Sequence, residues 1–185
     1  MKKGFYALVA IMLLLAGSIQ AQENRKELSK EERKALQIRE DSLKHEAAIQ
    51  AIDERSFTLE ADEVIFKRGQ RAYVNSNTNF VSVNGDKAVV QVAFNVPMSG
   101  PNGIGGVTVE GSISSYEVEK DKKGNVSLEM NVMGTGISAR VYITMRPENN
   151  NASVTILPNF NSNRLTLDGV LLPSELSNVF KGRSF

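Results

Sequence analysis

From Phe57 to Leu171 the chain alternates apolar and polar side chains every second residue. A period of two is the geometry of a β-strand whose successive side chains point to opposite faces. Ala88, Val90, Val92, Phe94 and Val96 share one such face. So do Val107, Val109, Gly111 and Ile113, then Val126, Leu128, Met130 and Val132. Ile137, Ala139, Val141, Ile143 and Met145 follow, and Ala152, Val154, Ile156, Leu165, Leu167, Gly169 and Leu171 complete the series. Strands with one wet and one buried face favour antiparallel meanders over a parallel sheet covered by helices. Turn signals separate the runs: Asn84-Gly85-Asp86, a tight-hairpin sequence, then Asp121 to Asn125, Gly134-Thr-Gly136 and Pro147 to Asn151. After Ala61 the phase slips at Asp62-Glu63, which predicts a bulge or a strand break. The expected fold is mainly β, an antiparallel barrel or barrel-like sandwich. A barrel is favoured because closure pairs both edge strands.

Two segments precede this domain, which is expected over residues 56–185 with a short C-terminal helix starting at Pro173-Ser174-Glu175. Residues 1–21 have the plan of a secretory signal peptide: basic Lys2 and Lys3, an apolar run from Phe5 to Ala16, and a small residue, Ala21, at the cleavage site. That run is short of the ~20 residues that span a bilayer, and no later stretch is apolar enough to span. The mature protein is expected to be exported, periplasmic or extracellular. Residues 22–55 are charged in both signs and read as a polar helix. Ser29 followed by Glu32 is a capping box. Leu28, Leu36, Leu43, Ile49 and Ile52 form a thin apolar stripe. The favoured reading is a solvated helix with one weakly docked face.

The chain has no cysteine, which removes disulfides, a lipoprotein anchor, thiolate nucleophiles and cysteine metal sites. It has 22 Lys+Arg against 21 Asp+Glu, and loss of Lys2 and Lys3 with the leader leaves a charge near −1. No basic excess points to nucleic acid.

Five glycines fall between Met98 and Ser114. A dinucleotide site needs G-x-G-x-x-G between a strand and a helix; here the third glycine is missing and a strand follows. No Gly-Lys-Ser/Thr is present, so the stretch is no P-loop. It reads as a sheet corner. His45, the single histidine, is expected to be solvated on the charged helix. Glu60, Asp62 and Glu63 offer carboxylates, but their alternation is that of an exposed sheet face. Asp121 lacks EF-hand spacing, and Arg140, Tyr142 and Arg146 form an outward row. A hydrolase would need two acids facing each other across about 5–9.5 Å. The expectation is no enzyme, no metal and no cofactor.

The inward rows carry small residues among bulky ones. Gly111, Ala139 and Gly169 could leave space in a closed barrel, with Met98, Met130, Val141 and Met145 as adaptable walls. Alternatively they face large neighbours and the core is filled, which is the favoured reading. A small apolar or amphipathic ligand is the leading functional expectation. The alternative is a structural or interaction module that meets a cell-envelope protein through the N-terminal helix.

With the strands laid out, "FTLEADEVIFKRGQ", "NFVSVNGDKAVVQVAFNVP" and "GIGGVTVEGSISSYEVEKDKKGNVSLEM" resemble the exported Bacteroidetes proteins of domain-of-unknown-function family 4251. The resemblance runs from about Phe57 to Pro173. After Pro97 the chain has "PMSG" where an aromatic "PYFG"-like stretch looks typical of the family. The resemblance implies a secreted domain with a lipocalin-like barrel and assigns no activity and no binding residues.

Overall fold

The computed structural model describes residues 29–93, 106–135, 138–159 and 164–182. The segment expected to be a signal peptide, residues 1–21, and the glycine-rich stretch up to Gly105 lie outside them. One helix leads: α1, Lys30–Asp53. Nine strands follow: β1 Ser56–Phe66, β2 Arg71–Tyr73, β3 Phe80–Asn84, β4 Lys87–Ala93, β5 Gly106–Lys120, β6 Val126–Gly134, β7 Ser138–Met145, β8 Asn151–Pro158 and β9 Leu165–Pro173.

All pairings are antiparallel. Apart from β2, each strand pairs with its neighbour in sequence, and β9 returns to pair with β1 from Phe57↔Pro173 to Phe66↔Leu165. Eight strands thus close a barrel, as the alternation predicts, and β2 lies beside the end of β1 as an extra strand. The phase slip is a bulge: Ala61 pairs with Gly169 and Glu63 with Asp168, leaving Asp62 as the extra residue. A second bulge leaves Ser114 unpaired between β5 and β6. Gly85 opens the β3–β4 hairpin at φ +58°. Asp86 is not left-handed, so a single glycine supplies the unusual backbone angle. Asp121 builds the β5–β6 turn by accepting the Lys123 and Asn125 amides and the Asn125 side chain.

Paired residues share a face, so the interior can be read in rows. Leu59, Val81 and Val90 form one, and Val64, Leu167, Val154, Ile143 and Leu128 another. All are buried in one contiguous apolar core.

Compact units divide within α1, one ending at Gln37 and the other starting at Ile38. In the first, the capping box forms as expected: Ser29 N–H donates to Glu32 Oε2 at 2.8 Å and Glu32 N–H to Ser29 Oγ at 3.2 Å. In the second, the rest of α1 closes one end of the barrel through His45, Ala48, Ala51 and Ile52, all buried. Leu43 stays exposed instead. Of the expected stripe, Ile52 is buried and Ile49 packs against the core, while Leu36 and Leu43 stay exposed. Two alanines let the helix backbone come close to the barrel rim, where leucines would hold it away. His45, expected in solvent, is 8% exposed and donates from Nδ1 to the Asn149 carbonyl of the β7–β8 turn at 2.9 Å.

The C-terminal segment forms only one 3-10 turn, Ser174–Leu176. Beyond the Ser177 N–H, which donates to the Ser174 carbonyl at 3.3 Å, its later polar groups bond to the rest of the domain. Ser177 Oγ and Asn178 N–H donate to Glu60, and Phe180 N–H donates to the Asn77 carbonyl. A longer helix would forfeit these bonds.

Candidate functional site

At the end of the barrel away from α1, β4 and β5 run on as a two-stranded ribbon. β6 pairs with β5 only from Gly111 onward, so Gly106 to Glu110 pair with β4 alone. Val90, Val92, Val107 and Val109 face inward here. Burial is reversed at one pair of neighbours on β5, although inward-facing Val90 and Val92 stay buried. Inward-facing Val107 is 42% exposed, whereas outward-facing Thr108 is 0% exposed.

The C-terminal segment explains the buried outer face. Gln91, fully buried, donates from Nε2 to the carbonyls of Thr78 at 3.0 Å and Phe180 at 2.7 Å. Its Oε1 accepts from Thr108 Oγ1 at 2.9 Å and from Gly182 N–H at 2.8 Å. Lys181 adds an ion pair to Glu110 at 2.6 Å. Segment 177–182 is therefore strapped across the back of the ribbon, and the apolar front is left partly bare. Ile113, Phe66 and Leu165 are inward-facing and partly buried against the same core.

The lining residues expected from sequence fall into separate rows. Met130 pairs with Val141, and both are fully buried. Met145, Ala152 and Gly169 form a second row across β7, β8 and β9. Ala139 lies beside Val132, and Gly111 stands apart on β5. The two glycines answer to backbone approach. A Cβ on Gly169 would sit 1.9 Å from the Glu60 carbonyl oxygen, and one on Gly111 would sit 2.6 Å from the Met133 backbone. Met98 lies outside the described residues. Val107, whose exposure marks the inner face, is missed by a search for small residues, because only the strand ends of the folded sheet reveal it.

A concavity of about 510 Å³ opens on the outer face of the barrel at the Asp62 bulge. Ser153, Asp168 and Val170 lie along it, with Asp62 from β1 and Arg146 and Glu148 after β7.

The family model described as "Domain of unknown function (DUF4251)" matches residues 39–171. The chain is a member of the DUF4251 family. The sequence resemblance to family 4251 is thereby confirmed. The crystal structure of a DUF4251 family protein from Bacteroides eggerthii is 50% identical to this chain, with a TM-score of 0.68, covering 80% of this chain and 99% of that one. No curated protein matches the chain.

In this DUF4251 member the candidate acids are dispersed. Glu60 holds the C-terminal segment, Glu63 pairs with Arg71 at 2.8 Å, and Asp62 lines the outer cavity. Arg140 pairs with Glu129 at 3.5 Å and touches the Tyr142 hydroxyl, which holds its guanidinium above its ordinary pKa. Hydrogen bonds from Asn125 hold Asp121 below the usual carboxylate range. Among the described residues no group of His and acids is arranged to hold a metal ion, and no helix is long and apolar enough to cross a membrane.

Proposed function

We propose that this DUF4251 protein is an exported, non-enzymatic binding protein that takes a small apolar or amphipathic molecule against the inner face of the β4–β5 ribbon. One observation carries the reading: Val107 is 42% exposed on the inward side while Thr108 behind it is fully buried. Bare apolar surface backed by a fixed strap costs little to reorganise when a ligand covers it. Filled rows below, such as Met130 with Val141, would form a rigid floor. The N-terminal leader pattern and the lack of cysteine support export without lipidation.

The test has two arms. The protein is isolated from the periplasm, its mass is compared with that of a chain starting at Gln22, and solvent extracts are analysed for apolar molecules. The purified protein is then titrated with the apolar dye N-phenyl-1-naphthylamine. Val107→Glu and Val109→Glu together should weaken dye binding about tenfold or more, the loss expected from ~1.5 kcal/mol of apolar contact. No dye binding and no extracted molecule would refute the reading.

A second reading, an envelope-protein partner on α1, has its own support: Ile38 is 61% and Leu43 58% exposed. Replacing both with Gln should leave the melting temperature unchanged and abolish cross-linking to a partner in intact cells. Undiminished cross-linking would dismiss it.

A further inference from the structure

The outer cavity at the Asp62 bulge gathers one guanidinium, Arg146, and three carboxylates, Asp62, Glu148 and Asp168. Several opposite charges on the barrel pair. Arg55 meets Asp86 at 3.2 Å, Arg71 meets Glu63 at 2.8 Å, Lys120 meets Asp53 at 2.8 Å and Lys181 meets Glu110 at 2.6 Å. Arg146 lines the same cavity as Asp62, Asp168 and Glu148, yet pairs with none of them. The concavity that they line measures about 510 Å³. That volume falls within the ~300–1,000 Å³ of small-molecule sites.

The walls are held by the barrel itself. Asp168 stands opposite Ser153 in the β8–β9 ladder, and Thr144 stands opposite Ser153 in the β7–β8 ladder. Asp62 is carried by the bulge beside them, a device that re-aims a side chain out of strand register. Between these walls Ser153 presents only a short side chain. Positions set by paired strands are more exact than positions on loops.

We propose that this cavity binds a small zwitterion, an amino acid or a dipeptide, whose ammonium group meets Asp62 and Asp168 and whose carboxylate meets Arg146. A guanidinium is suited to a carboxylate because its forked donors match both oxygens. A simple amine would leave Arg146 unused, and a simple acid would face the carboxylates. The zwitterion satisfies both walls at once. This site is on the opposite side of the barrel wall from the apolar inner face, so the two proposals stand or fall separately.

The test is an NMR titration of the full mature chain with L-alanine, L-alanyl-L-alanine, ethylamine and acetate. Either zwitterion at millimolar concentration should shift the amides of Ser153, Asp168 and Gly169, with ethylamine and acetate much weaker. Arg146→Gln and Asp168→Asn should each lower affinity about tenfold to a hundredfold, as loss of a charged hydrogen bond does. Both change side chains at least partly in solvent, so the melting temperature should stay near that of the parent and mark the variants as folded. Neither zwitterion shifting these amides would overturn the proposal. So would undiminished affinity in both folded variants, or ethylamine binding as well as alanine.

Discussion

Tyr116 donates its phenolic hydrogen to the carbonyl of Ile52 at 2.6 Å. That carbonyl is in the last turn of α1, where helix geometry supplies no i+4 amide, and it also accepts the Arg55 N–H at 3.1 Å. A barrel strand therefore caps the helix that closes the barrel. Arg55 stacks over the Tyr116 ring at 4.4 Å and also reaches Asp86. Arg55 takes a left-handed backbone, φ 53°, and its carbonyl accepts from Gly85 N–H. The helix end, the β3–β4 hairpin and β5 are thus tied at one point. Removing the hydroxyl with Tyr116→Phe should cost about 1–2 kcal/mol, since the Ile52 carbonyl loses a short bond in a half-buried place. Urea unfolding of the two proteins at neutral pH measures the difference.

The same contact makes stability depend on alkaline pH. Burial pushes the Tyr116 phenol well above its ordinary value; Arg55 opposes the shift and Asp53 adds to it. A phenol with a raised folded pKa binds its proton more tightly in the folded chain. Its contribution is complete below about pH 10, the unfolded value, and falls as pH rises beyond that. Unfolding midpoints from pH 8 to pH 11 should fall more steeply in the parent than in Tyr116→Phe. Parallel curves would show that Tyr116 is not the group responsible.

Gln91→Leu tests the strap. The substitution keeps the volume but removes four hydrogen bonds, leaving the Thr78 and Phe180 carbonyls, the Gly182 amide and the Thr108 hydroxyl without this partner. The expected loss is about 2–4 kcal/mol, because orphaned buried polar groups cost ~1–3 kcal/mol each and do not add fully. The segment after Ser177 should also become accessible to carboxypeptidase. A destabilised variant whose C-terminus remains protected would contradict the strap.

The barrel was legible in the sequence because the period-two pattern is set by local strand geometry, and even the bulge at Asp62 left its mark as a phase slip. What the pattern could not carry is what covers each face. Gln91 and Thr108 occupy outward positions and read as solvated, yet segment 177–182 buries them. The reverse holds for Val107, which reads as core and is partly bare because β6 ends before reaching it. His45 departs from its expected place in solvent for a related reason. His45, Ala48 and Ile52 share a helical face, but alanines and a histidine give a weaker hydrophobic signal than Leu36 and Leu43, which remain exposed. The outer cavity joins residues far apart in sequence, Asp62 and Asp168 among them, which only the β1–β9 closure brings together.

That closure depends on one residue without a side chain. Gly169 faces Ala61 just before the bulge, and a Cβ there would lie 1.9 Å from the Glu60 carbonyl oxygen and 2.7 Å from Ala61 Cα. Both contacts are backbone, so no side chain can rotate away. Gly169→Ala must push β9 from β1 at the seam. The expected cost is about 3 kcal/mol or more, at the upper end of overpacking penalties, and the freed strand edges would favour aggregation. Gly69→Ala is the control: nothing lies within 4 Å of a Cβ there, and its left-handed φ of +85° leaves only local backbone strain, about 1–2 kcal/mol. Urea midpoints and the soluble fraction after expression should rank parent, Gly69→Ala, then Gly169→Ala. A Gly169→Ala protein as stable as the Gly69→Ala control would mean that the β1–β9 seam is not as close as described.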